Sequence, residues 1–153
     1  MRSPWARMAA VAVVVVVLDQ ATKLLVDGNI ARGDSEELIL GIRLVNVRNT
    51  GVAFSSFQGA GALIGVVVGI ALIALLVYFS RNAQKPLVWL PTGMLLGGAL
   101  GNVIDRSREG GVIDFIKVVD FWPAFNVADS AITIGVLLLL WVMERRGAPH
   151  GRA

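Results

Sequence analysis

Residues 8–26 read MAAVAVVVVVLDQATKLLV, and where this helix ends decides the fold. Its uninterrupted apolar part, Met8 to Leu18, has 11 residues. That is about 16 Å of helix, against a bilayer hydrocarbon core of about 30 Å. A helix stopping at Leu18 would end halfway across. To span, it must carry Asp19, Gln20 and Lys23 with it. Ionisable groups inside a membrane are expensive, and they persist where they are paired or have a task. Arg2 and Arg7 before the valine run also suit the charged and apolar parts of a signal peptide. No small-x-small cleavage site follows, so the segment is read as a retained span.

The rest of the chain agrees with a membrane setting. Of 153 residues, 56% are hydrophobic and only 16% charged, where soluble domains carry about 25% charged residues. Mean hydropathy is +0.71. Three more apolar segments each reach the length of about 20 residues that a span needs. The expected spans are about 7–26, 60–79, 87–105 and 125–143, in a single membrane domain covering residues 1–153. Charge placement orients them. Arg2 and Arg7, then Arg81 and Lys85, then Arg145, Arg146 and Arg152 against Glu144 form three net-positive ends. The loop at 28–58 sums to zero, and residues 105–129 carry five acids against three bases. The positive-inside rule puts both termini in the cytoplasm and these two loops outside.

The outer loop at 28–58 has strand-like character around Ile39 to Val47, with NTG at 49–51 as a turn. A small sheet resting on the outer membrane surface is expected, with WPAFN at 122–126 supplying interfacial aromatics. Glycines at 61, 65 and 69, and at 93, 97 and 101, recur every fourth residue. Both rows are expected to let helices approach closely.

Polar residues then converge. Spans one and three run outward and span four runs inward. Asp19 and Lys23, then Asn102, Asp105 and Arg106, then Asn126 and Asp129 all fall near the outer edge. Asp114 lies in the outer loop between spans three and four. The chain has no cysteine and one histidine, His150 in the tail. Thiolate chemistry and multi-histidine metal sites are therefore excluded, and a Ser-His-Asp triad would need the tail to fold back. Two neighbouring carboxylates remain. They share a proton because both cannot ionise cheaply, and they can activate water for attack on a carbonyl. Asp114 and Asp129 suit this best, since both have apolar neighbours, whereas adjacent Arg106 would hold Asp105 ionised. Structural pairing, helix capping or proton conduction would use the same residues. For Asp19 with Lys23 a structural salt bridge is the favoured reading.

Four ordered blocks carry a resemblance: LDQATK at 18–23, NTGVAFS at 49–55, GGALGNVIDR at 97–106 with GVIDF at 111–115, and FNVADS at 125–130. The chain resembles bacterial lipoprotein signal peptidase, or signal peptidase II, over roughly residues 10–143. The resemblance implies an all-α polytopic membrane protein of four transmembrane helices with a small extracytoplasmic β-cradle. It implies an aspartic endopeptidase of the bacterial inner membrane, with its active site at the extracytoplasmic face. Its substrate would be a diacylglyceryl-prolipoprotein, cut on the amino side of the lipidated cysteine. The implied dyad is Asp114 and Asp129. The implied supporting or substrate-binding residues are Asp19, Lys23, Asn49, Asn102, Asp105, Arg106 and Asn126. No metal, cofactor or nucleic acid is expected, membrane lipids are, and the protein is expected to be a monomer. Val52, Phe54 and Phe57 are expected to cover the pocket. A small transporter and a non-enzymatic scaffold are the rival classes. Conduction would need polar groups along the whole depth, and a scaffold would tolerate Asp129→Asn.

Overall fold

The computed structural model describes residues 3–50 and 60–145. Helix α1 runs from Pro4 to Asn29, 26 residues. Ser3 caps it by accepting a 3.2 Å hydrogen bond from the Ala6 amide, and Pro4 follows, where a missing N–H matters least. The helix passes through Asp19, Gln20 and Lys23 without a break. Strands β1, Ser35–Ile39, and β2, Ile42–Asn49, form an antiparallel hairpin. Leu40 and Gly41 at its tip both have positive φ, the geometry that matches strand twist in a two-residue turn. Helices α2, Ala60–Asn82, and α3, Trp89–Glu109, come next. Strand β3, Val112–Lys117, and helix α4, Val127–Glu144, complete the order.

The sheet is antiparallel in the order β1-β2-β3. Strand β3 departs from the sequence reading, which leaves Asp114 in a loop. Val112 to Lys117 pairs with β2, setting Asp114 opposite Val47. The free edge of β2 supplies the reason, because it offers backbone groups that the VIDFIK run satisfies. Gly110, at φ 69°, ends α3 in the left-handed conformation and turns the chain into β3.

Helix α1, residues 65–82 of α2, and α4 are each long and apolar enough to cross a membrane. The third expected span, 87–105, corresponds to α3, which starts at Trp89 and carries Asp105, Arg106, Arg108 and Glu109 in its last turns. Apolar side chains such as Val13, Val17, Leu24, Ile70 and Leu137 stay exposed on the bundle's outside, as a lipid-facing surface requires.

The two glycine rows behave differently. On α3, a Cβ at Gly93 would sit 2.6 Å from the Met8 carbonyl oxygen, and one at Gly97 would sit 2.7 Å from that of Ala12. Any side chain here would push α1 away. Gly98 is as close to the α4 backbone, at 2.5 Å from the Ala128 oxygen. On α2, by contrast, a Cβ at Gly65 or Gly69 would meet none of the described residues within 4 Å. The expected packing role does not hold at these two positions. A gap of about 340 Å³, lined by Val68, Leu72 and Leu75 of α2 with Leu95, Ala99 and Ile132, lies between α2 and its neighbours. Helix α2 docks at the other end of the bundle, where Phe79 is buried with Met8, Ala83, Val88 and Val142.

Candidate active site

The sheet packs over one end of the bundle, where α1 and α3 finish and α4 begins. Asn126, with φ −132° and ψ −175°, is the N-cap of α4. Its side-chain oxygen accepts a 2.9 Å bond from the Asp129 amide, and Asp129 Oδ2 accepts one of 3.3 Å from the Asn126 amide. This is a reciprocal capping box. Asn126 is extended and reaches Asp129 from outside the helix.

Asn126 also donates from Nδ2 to Asp114 Oδ1 at 2.8 Å. One fully buried residue thereby bonds both carboxylates, Asp114 through its side chain and Asp129 through its backbone N–H. Asp114 Oδ2 accepts a 3.0 Å bond from Asn49 at the end of β2. Asp129 Oδ1 accepts a 2.8 Å bond from Asn102 of α3. Each carboxylate is thus held at both oxygens, Asp114 by β2 and the α4 cap, and Asp129 by α3 and the cap of its own helix. Asp114 is 4% exposed. Burial pushes its carboxyl up to about 6, the donors Asn49 and Asn126 pull against that, and the nearby Asp129 charge adds to the rise. Asp129 is half-buried. It lines a cavity of about 590 Å³ walled by Trp122, Phe125, Thr133 and Ile134.

A second layer lies beneath. Lys23, 2% exposed, forms 2.8 Å ion pairs with Asp19 and with Asp105, and donates to Asn102 Oδ1 at 3.2 Å. Asp19 accepts from the Ala128 amide at 2.9 Å. Asp105 accepts from the Ile113 amide at 3.2 Å. The partner of Asp105 is therefore Lys23 of α1, not adjacent Arg106. Arg106 is exposed and donates a 3.4 Å bond to the Asn102 carbonyl of its own helix. Gly101 is needed here, because a Cβ would lie 2.5 Å from Asp19 Oδ2. Eight of the nine residues named from sequence join one network, and Arg106 stands at its rim. Val52, Phe54 and Phe57 lie outside the described residues.

Two residues that pair around this network were not assigned to the site from the sequence. Gln20 donates to Asp105 Oδ1 at 2.8 Å and to Asp19 Oδ2 at 3.2 Å. Its signal was present, since it is a polar residue one position from Asp19 inside a span. Arg48 is the other, and no motif marks it. Gln20→Leu is expected to lower stability by about 1–3 kcal/mol, because Asp105 Oδ1 loses this donor. Thermal unfolding in detergent measures it, and an unchanged midpoint would show the bond to be dispensable.

The family model described as Signal peptidase (SPase) II matches residues 11–145. The chain belongs to the signal peptidase II family. The lipoprotein signal peptidase of Halothermothrix orenii is 40% identical over 143 residues, covering 90% of this chain and 97% of the relative. That of Syntrophomonas wolfei is 43% identical over 127 residues, covering 82% and 85%. A solved bacterial membrane enzyme, determined by the in meso method at 1.9 Å, matches with TM-score 0.83 and 38% identity over 89% of this chain and 91% of that one. A second, at 2.3 Å, matches with TM-score 0.83 and 35% identity over 95% and 92%. Family membership makes this chain a polytopic membrane hydrolase of the aspartic-peptidase type, and the four helices with their three-stranded sheet are the family's fold.

Proposed function

We propose that the chain cleaves diacylglyceryl-modified prolipoproteins on the amino side of the lipidated cysteine, with Asp114 and Asp129 as a water-activating dyad. One observation carries this reading: Asn126 bonds both carboxyl groups at once, and Asp129 faces the cavity. The pair holds one proton between two groups that repel. The ionised carboxylate takes a proton from water as the oxygen attacks the scissile carbonyl carbon. The protonated carboxyl donates to the carbonyl oxygen. The tetrahedral species then collapses, the C–N bond breaks, and a carboxyl protonates the leaving amine. Water becomes the new carboxyl oxygen and no acyl-enzyme forms.

The supporting residues divide by what they touch. Asn49, Asn102 and Asn126 spend their amide donors on the two carboxylates, so they orient the dyad. Asp19, Lys23 and Asp105 brace the helices beneath it. Arg106 is exposed, and its five fixed donors suit substrate carbonyl or ester groups. A signal-peptide helix already lies in the bilayer. Its scissile bond can meet Asp129 from the side walled by Trp122, Phe125 and Ile134 while the acyl chains stay in lipid. The basic ends of the spans support an extracytoplasmic position for this site, with both termini in the cytoplasm. The polar groups cluster at one end of the bundle, which disfavours conduction.

Synthetic lipobox peptides with and without the diacylglyceryl group test the substrate class. Cleavage in water enriched with oxygen-18 tests the chemistry. The expected result is cleavage of the lipidated peptide alone, with one heavy oxygen in the new carboxyl. Equal cutting of both peptides would overturn the substrate assignment, and a trappable acyl-enzyme would overturn the mechanism.

The pH profile supplies a further expectation. With Asp114 raised to about 6, the proton held by the pair leaves near that pH, and kcat/KM falls above it. Asn49 donates to the carboxylate and so favours its charged form. Asn49→Ala should raise the Asp114 pKa and move the alkaline limb to higher pH. A limb that stays put, or moves down, would remove Asn49 from this role.

A further inference from the structure

Arg48 lies on β2 directly before Asn49, paired with Ile113, the neighbour of Asp114 on β3. Its side chain is only 13% exposed and it reaches two helix ends at once. Nη1 is 2.7 Å from Glu109 Oε2 in the last turn of α3. Nη2 is 3.5 Å from Asp27 Oδ2 in the last turn of α1. The Asp27 contact is a long hydrogen bond, whereas the Glu109 contact is an ion pair in which Nη1 lacks hydrogen-bond geometry, so one largely buried cation ties two helix ends. The neighbouring backbone is equally constrained. A Cβ at Gly111 would lie 3.2 Å from the Asn49 carbonyl oxygen, so the turn from α3 into β3 rests on the end of β2. Asn46 provides a separate tie, donating to the Ile30 carbonyl at 2.8 Å and to Asp27 Oδ1 at 3.1 Å.

We infer that Arg48 is a positioning residue for the peptidase reaction: it clamps the end of β2 to α1 and α3, and so holds the Asn49 amide on Asp114. The inference rests on the dyad reading above. Without the clamp, β2 stays attached through Asn46 and its ladder to β3, but its last residues gain freedom. The Asn49–Asp114 bond then lengthens or samples other partners. Asp114 keeps its bond from Asn126 of α4's cap and still faces Asp129 of α4 and Lys23 of α1. The mispositioning therefore reads out through Asn49, and the fold survives.

The experiment uses the full chain in detergent or lipid with the lipidated lipobox peptide. Arg48→Gln and, separately, Glu109→Gln are assayed for kcat, KM, pH profile and thermal midpoint. Each is then repeated in an Asn49→Ala background. Expected is a kcat loss of about tenfold with KM and midpoint little changed, an alkaline limb shifted upward as in Asn49→Ala, and no further loss once Asn49 is absent. Glu109 is 44% exposed, so its variant carries the test if Arg48→Gln fails to fold. Wild-type kcat and profile in these variants would overturn the inference. So would a loss of equal size with and without Asn49, which would mean that Arg48 acts by its charge or by general stability. Asp114→Asn runs alongside: if it still cleaves, the dyad reading has failed, whereas an inert Asp114→Asn beside wild-type-like Arg48→Gln sinks the clamp alone.

Discussion

Asp114→Asn and Asp129→Asn are each expected to lower cleavage of a lipidated peptide by about 10²–10⁴-fold, the range for a lost acid–base group. An amide can neither take the proton of the attacking water nor return one to the leaving amine. The substitutions are close in size but not neutral in bonding. Asp129 accepts from Asn102 at one oxygen and from the Asn126 backbone at the other. Asp114 accepts from Asn126 and Asn49 in the same way. An amide at either position turns one acceptor into a donor and sets it against a donor. That costs about 1–3 kcal/mol, which leaves a folded protein. Cleavage assays paired with thermal unfolding separate the two effects. Folded variants that both cut at the wild-type rate would end the dyad assignment, and an inert Asp129→Asn that stays folded speaks against a scaffold role.

Lys23→Met carries the largest expected loss of stability. Lys23 is the shared cation of Asp19 and Asp105, and all three side chains are buried. Removing one member of a buried ion-pair network costs about 3–5 kcal/mol, because the remaining charges lose their compensation. Here two acids lose it together, at the contact between α1 and α3. Adding Asp105→Asn to Lys23→Met removes one stranded charge and should recover part of the loss. Unfolding in detergent at neutral pH measures both variants. A Lys23→Met protein as stable as wild type would show the triad to be unnecessary to the bundle.

Much of this was legible in the chain. Span lengths follow from runs of apolar residues, and Asp19, Gln20 and Lys23 had to enter the membrane because Leu18 comes too soon. The exclusion of cysteine chemistry and of multi-histidine metal sites is compositional, and carboxylates were the groups left. Asp114 and Asp129 stood out because apolar neighbours make a carboxylate conspicuous. The α3 glycines were read correctly as contacts, but at Gly65 and Gly69 on α2 the same spacing meets none of the described residues. Four-residue spacing shows that a smooth face exists, not that anything lies against it.

The sequence by itself determined four apolar segments, the convergence of polar side chains near one membrane depth, and which residue types were available for chemistry. These depend on local order and on the bilayer's thickness, so they need no knowledge of which helix touches which. Only the tertiary structure decided the partners. It drew 112–117 into a strand on β2, made Asn126 a cap that touches both acids, gave Asp105 to Lys23 and not to its neighbour Arg106, and brought in Gln20 and Arg48. Hydrogen bonds and ion pairs form between groups some three ångströms apart in space, and side chains as far apart in the chain as Gln20 and Asp105 become neighbours only when the helices pack.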